Sequence, residues 1–176
     1  MKKLLIVIDM QNDFVDGSLG TEEAQAIVPA VVSKIDGFDG DIYVTYDTHC
    51  ENYLETAEGK NLPIPHCIKG TDGWKLNLDV QTALDKKIYR AIEKNTFGSV
   101  DLPKLIAENY EVSNLEIELI GLCTDICVVS NALILKANFP ETSIIVDACC
   151  CAGVSTETHK SALTTMKCCQ IDIVGE

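Results

Sequence analysis

The 176-residue chain carries a formal net charge of −13, a pI near 4.5 and 47% apolar residues, the proportions of a globular domain with a sizeable core. So acidic a chain lacks the basic face that phosphate binding needs, which excludes nucleic acid and anionic membrane surfaces and leaves small molecules as the expected partners. No apolar run approaches the roughly 20 residues that span a bilayer, and "MKKLLIVIDMQNDF" is too short in its apolar part, with Asp9 inside it, for a secretory signal, so a cytoplasmic protein is expected.

Short apolar runs alternate with patterns of helical period along the chain. The first run is Lys3 to Met10, "KLLIVIDM", followed by a helix pattern from Ala24 to Ile35 and a second run from Asp41 to Tyr46. Residues 48 to 77, rich in Gly, Pro and polar side chains, read as one long loop, a length that in compact domains tends to mark function. A third run, Ile88 to Lys94, precedes a helix over Leu102 to Asn109; a fourth, Leu115 to Gly121, leads into a helix from Asp125 to Ala137. Ser143 to Ala148, a helix over Thr156 to Lys167, and Cys169 to Val174 complete the series. Six strands interleaved with helices predict one α/β domain over residues 1–176, with a six-stranded parallel sheet covered on both faces.

The nine cysteines include the runs "CCC" and "CC", and an odd count without a signal segment argues for reduced thiols rather than a disulfide framework. Most are expected to be core filler, since free cysteine is among the most buried residue types. Cys127 is the exception, because it follows the fourth strand at the start of a helix, where unpaired N–H groups and the helix dipole push a thiol toward thiolate. Asp9 closes the first strand, Asp47 follows the second and Lys94 closes the third. Each alone reads as a cap or turn residue, but the carboxyl ends of parallel strands converge on one edge, where ligands bind. Together they compose a cysteine nucleophile with Lys94 as the cation beside sulfur and Asp9 as the group that accepts and returns a proton. Backbone N–H groups of Cys123 and Cys127 are placed to hold an oxyanion.

The loop "DTHCENYLETAEGKNLPIPHC" offers Asp47, His49, Glu58 and His66, a mixed imidazole and carboxylate set suited to one divalent transition metal, Zn²⁺, Mn²⁺ or Fe²⁺. The competing reading is a polar loop with two surface histidines. His159, within "STETHKSAL", reads as a structural residue near a capped helix start.

The motifs "IDMQNDF", "DTH", "EKNTFGS", "GLCTDICV" and "DACCCAGV", in this order along the whole chain, resemble the nicotinamidase and isochorismatase family of cysteine hydrolases. The resemblance implies a three-layer α/β/α fold, a triad of Asp9, Lys94 and Cys127, and a cis peptide at Leu122–Cys123. It also implies a metal held by the Asp-x-His pair, His66 and Glu58 rather than Glu55, with Phe14 and Leu122 bordering the substrate. Pro63 stands where many members place a tryptophan, and Trp74 is expected to pack the loop down. The implied activity is hydrolysis of nicotinamide, and of pyrazinamide, to the acid and ammonia through a thioester on Cys127, a step in NAD salvage, by a homo-oligomer. Alternatives are the same triad acting on another small amide, carbamoyl compound or ureide; an isochorismatase; and a non-catalytic protein that keeps the fold.

Overall fold

The computed structural model describes all residues, 1–176, as an α/β domain. In chain order the elements are β1 (Lys2–Ile8), α1 (Asn12–Val15), α2 (Glu22–Gly37), β2 (Asp41–Asp47), α3 (Ala57–Asn61), α4 (Leu78–Leu84), β3 (Tyr89–Lys94), α5 (Leu102–Asn109), β4 (Leu115–Leu122), α6 (Val129–Asn138), β5 (Ser143–Ala152), α7 (Thr156–Cys168) and β6 (Asp172–Val174). The strands form one parallel sheet in the order β3-β2-β1-β4-β5-β6. No helix is long and apolar enough to cross a membrane.

β1 shows why both faces are covered. Side chains alternate across a strand, and Leu4, Ile6 and Ile8 enter one core with α5, α6 and α7, whereas Leu5 and Val7 enter another with α2 and α4. All five are fully buried, so the run is apolar without interruption, the mark of a strand between two helical layers. The chain winds outward from β1 toward β3 and then restarts at β4 on the other side. The switch point therefore lies between the tips of β1 and β4, where a crevice opens at the carboxyl end of the sheet.

The three-layer expectation holds, and several boundaries move. β1 stops at Ile8, so Asp9 lies just past the strand, in the left-handed region with φ 45°, a conformation that Asp tolerates better than most residues. The long loop holds a single 3-10 turn at Tyr53–Glu55 and the helix α3, and α1 and α4 were not legible, being too short to display a helical period. The helix expected from Asp125 begins as a wide π turn, Thr124–Val128, before α6. β5 runs on to Ala152 because its pairing with β4 shifts: Leu119 faces Val146 but Gly121 faces Cys151, so most of "DACCC" bulges out. β6 is short because Cys169 still donates to the last turn of α7 and Gln170 turns the chain at φ 63°.

Gly121 sits at the switch point with φ 115°, and a Cβ there would lie 2.1 Å from the Ile8 carbonyl oxygen. β1 and β4 could then no longer approach. Gly37, in the last turn of α2, is open by contrast: a Cβ there would meet nothing within 4 Å. Gly121→Ala is expected to lower unfolding free energy by about 3 kcal/mol or more, and Gly37→Ala to leave it level or raise it by about 0.5–1 kcal/mol, read from urea unfolding midpoints.

Candidate active site

Three strand tips and one turn bring the expected triad and Asp47 together. Lys94, at the end of β3, places Nζ 2.6 Å from Asp9 Oδ2, 3.4 Å from Asp47 Oδ1 and 3.5 Å from Cys127 Sγ. Register explains the first two contacts: Asp47 and Lys94 are direct partners across β2 and β3, and Ile8 pairs with Thr45, which brings the residue after it over the same edge. All four side chains are buried. Thr45 donates its hydroxyl to Asp9 Oδ1 at 2.6 Å, and Asp9 N–H donates to the Thr45 carbonyl at 3.2 Å. The carboxylate therefore has one oxygen for Thr45 and the other for Lys94.

The charges depend on one another. Burial works against the Lys94 ammonium, but the facing Asp9, Cys127 and Asp47 hold its pKa well above the ordinary lysine range. Burial, with help from Asp47, raises Asp9 against the pull of Lys94. Burial and Asp9, which also accepts from the thiol, push Cys127 well up, and Lys94 only opposes this in part. These influences oppose the one expected from a helix N-terminus. A thiol so placed beside Asp9 can hand its proton over as the carbon–sulfur bond forms.

Asp47 faces two ways. Its Oδ1 points to Lys94, while its Oδ2 lies 3.0 Å from His49 Nε2 and 3.6 Å from His66 Nε2. Glu58 Oε1 closes the group at 3.6 Å from His49 Nε2 and 3.5 Å from His66 Nε2. One ligand atom from each of the four lies within 4.8 Å of every other, so the residues present fit a metal ion. The polar surface-loop reading fails on burial, since His49 and His66 are 7% and 3% exposed. His66 Nδ1 is engaged by the Ile64 carbonyl at 2.9 Å, which turns Nε2 inward, as in metal-binding histidines whose other ring nitrogen is held by a backbone carbonyl. Burial lowers the His66 pKa, but hydrogen bonds to Asp47 and Glu58 outweigh it and bring it up to about 10.

The Leu122–Cys123 peptide bond is cis, as the motif implied. Cys123 N–H donates to no acceptor and stays free beside the turn that carries Cys127. Leu122 is fully buried in the core on the α2 side, Phe14, also buried, packs 5.4 Å from the His66 ring, and a cleft lies against the ion group. That cleft, about 760 Å³, opens beside His49 and Glu58 and is walled by Leu62, Phe97 and Ile126. Cys50 is exposed at its rim, whereas Cys67 is buried, and all nine thiols are free. Trp74 holds the loop down, stacked 5.3 Å from Tyr46 and donating Nε1 to Thr48 Oγ1 at 2.9 Å. His159 Nδ1 pairs with Thr124 Oγ1 at 2.8 Å, away from the ion group.

Supporting residues escaped the sequence reading. Gln11, fully buried, accepts Asp47 N–H at 2.7 Å and donates to the Asp47 carbonyl at 2.8 Å, which fixes that strand tip. Asp13 accepts Cys67 N–H at 2.7 Å and so holds the segment carrying His66. The Tyr53 ring lies edge-on to both His49 and His66, at 4.8 and 4.9 Å, and its hydroxyl donates to the Leu62 carbonyl at 2.9 Å. Gln11 and Asp13 stand inside a motif already singled out, at spacings that carry no periodic signal. Tyr53 lay in the supposed irregular loop.

With this geometry in hand the class follows: the sequence matches the isochorismatase domain over residues 3–174, and the chain belongs to that family. An uncharacterized isochorismatase family protein of Bacillus subtilis is 33% identical over 174 residues, covering 93% of each chain. Among solved structures, a nicotinamidase/pyrazinamidase from Bacillus subtilis superposes with a TM-score of 0.86 at 28% identity, covering 98% of this chain and 99% of that one. A pyrazinamidase of Pyrococcus horikoshii in complex with zinc superposes at 0.79 with 25% identity over 100% of both chains.

Because the Tyr53 ring lies edge-on to both imidazoles, Tyr53→Leu is expected to weaken divalent-metal binding by about 10–100-fold. Tyr53→Phe, which keeps the ring, should stay within about threefold of the parent by the same reasoning. A zinc titration against a chromogenic chelator reads both.

Proposed function

We propose that the protein is a cysteine amidohydrolase, one domain over residues 1–176, that converts nicotinamide, and pyrazinamide, to the acid and ammonia. The observation that carries this reading is Lys94 Nζ set between Asp9, 2.6 Å away, and Cys127 Sγ, 3.5 Å away, at a switch point shared with the Asp47 ion group. Similarity to nicotinamidases and pyrazinamidases along nearly the whole chain supports the substrate.

The chemistry runs on the chain's own groups. Asp9 takes the Cys127 proton as sulfur attacks the carboxamide carbon, and the carbonyl electron pair moves onto oxygen. The Cys123 and Cys127 N–H groups hold that oxyanion, with each such donor worth on the order of 10²–10³ in rate. Lys94 offsets the negative charge passing between sulfur and Asp9. Protonated Asp9 then delivers its proton to the leaving nitrogen, the C–N bond breaks, ammonia departs and a thioester remains. Asp9 next deprotonates a water that attacks the thioester, and the returning sulfur recovers the proton as the acid is released. Burial of Asp9 and Cys127 keeps bulk water from trading these protons. A divalent transition metal, held by Asp47, His49, Glu58 and His66, would supply a Lewis-acid anchor for the ring nitrogen and so orient the carboxamide toward sulfur.

Ammonia release measured over a panel of amides tests the reading. Cys127→Ala is expected to bring nicotinamide turnover to background, and Lys94→Met to lower kcat about 10²–10⁴-fold. Chelation is expected to lower both the nicotinamide rate and the melting temperature, because a metal that binds only the folded chain stabilises it. Benzamide, which lacks the ring nitrogen, should be a poor substrate. Turnover of benzamide equal to that of nicotinamide, unaffected by chelator, would instead favour a hydrolase of another small amide or carbamoyl compound, and continued ammonia release by Cys127→Ala would remove the nucleophile.

A further inference from the structure

Asn131, on α6, is a fully buried polar side chain that the chemistry above does not use. Its Nδ2 donates to the Cys127 carbonyl at 2.8 Å and to the Phe97 carbonyl at 3.2 Å, and its Oδ1 accepts Ser99 N–H at 2.9 Å. Both amide hydrogens and one oxygen lone pair are thereby engaged, by two segments about thirty residues apart. The contact is close along its length. Ser99 is buried and its Oγ accepts Leu102 N–H at 3.2 Å, where α5 begins, and a Cβ on Gly98 would lie 2.4 Å from Ile134 of α6. The segment after Lys94 is thus pressed onto α6 and clipped there by one amide.

Each partner leads to a different part of the site. Cys127 carries the sulfur, and its carbonyl lies where the π turn passes into α6, a junction with irregular backbone pairing. Phe97, about half exposed, walls the cleft opposite Leu62, beside Ile126. A misplacement of about 1 Å in a reacting group costs on the order of 10²-fold in rate, so a clip holding the nucleophile's own backbone bears on chemistry. A clip holding Phe97 bears on how the ring is bound.

We infer that Asn131 is a positioning residue that sets the nucleophile turn and the aromatic wall of the cleft in one register, through separable hydrogen bonds to Cys127 on one side and to Phe97 and Ser99 on the other. The inference rests on Cys127 acting as the nucleophile of the proposed amide hydrolysis. Separability gives the test. A threonine on a helix returns a hydrogen bond to the carbonyl four residues back, which from position 131 is that of Cys127, but it is too short to hold Phe97 and Ser99.

The experiment measures kcat and KM for ammonia release from nicotinamide by the metal-loaded protein and by Asn131→Ala, Asn131→Thr and Leu135→Ala. Leu135 is fully buried on the same helix among core side chains and serves as the control for lost stability. Asn131→Ala is expected to lower kcat at least tenfold and raise KM several-fold. Asn131→Thr should recover kcat to within threefold of the parent while KM stays raised, and Leu135→Ala should lower the melting temperature with both constants unchanged. Asn131→Ala with parental kcat and KM, Asn131→Thr with kcat as low as the alanine variant, or Leu135→Ala with an equal loss of kcat would each overturn it. Site-resolved iodoacetamide labelling of Cys127 gives a second readout that needs no substrate, with the rate expected to change at least threefold in Asn131→Ala and not in Leu135→Ala. If the parent releases no ammonia from nicotinamide, the proposed substrate fails, and the labelling rates still decide the role of Asn131, an unchanged rate overturning it.

Discussion

A single buried ammonium holds the site together. Lys94 faces two carboxylates and a thiol within 3.5 Å, with its side chain 2% exposed. Taking one such cation or one such carboxylate out of water unaccompanied is costly, and a buried pair is tolerable only when geometry is tight and the remaining lone pairs find donors. Asp9 meets both conditions, with Lys94 on one oxygen and the Thr45 hydroxyl on the other. The parallel sheet is what permits the cluster: in-register strands end at one edge, and side chains distant in sequence come to lie side by side without any loop having to carry them.

Asp47 gives the site its second half. A carboxylate with one oxygen toward the ammonium and the other toward two imidazoles belongs to both charge groups at once, and hydrogen bonds from His49 and His66, together with the Lys94 charge, outweigh burial and keep it ionised far below the usual carboxylate range. Such a residue has little freedom to move. Gln11 fixes its backbone from below through the Asp47 N–H and carbonyl, and Tyr53 fixes the imidazoles it faces. The surroundings of the site are therefore rigid along the strand tips and open on the side of the cleft.

Asp9, Asp47, Lys94 and Cys127 were legible in the sequence because a charge or thiol at the end of an apolar run contradicts its surroundings, and the contradiction has a fixed place in a parallel sheet. Four ligands of three types gathered in one short segment were legible for the same reason. Asn131 and Gln11 were not, because a buried amide inside a helix or a short turn breaks no pattern; its meaning lies in partners the sequence does not name. The upward push on the Cys127 thiol was not legible either, because a helix N-terminus can be seen in the sequence, whereas the burial of the sulfur and the approach of Asp9 cannot. The bulge in β5 was hidden because cysteine and alanine fit a strand and a bulge equally well.

The strand order has a consequence for how the chain is made. β1, at the centre of the sheet, precedes the other five strands in the chain, and its partner on one side, β4, begins only at Leu115. Until then a nascent half-sheet of β3, β2 and β1 presents a bare central strand, apolar on both faces, the kind of edge that recruits a neighbouring chain. The same order places Cys127, which follows β4, later in the chain than the acid and the amine. Shelter during synthesis is therefore expected to matter more for this topology than for one whose first strand ends up at the rim.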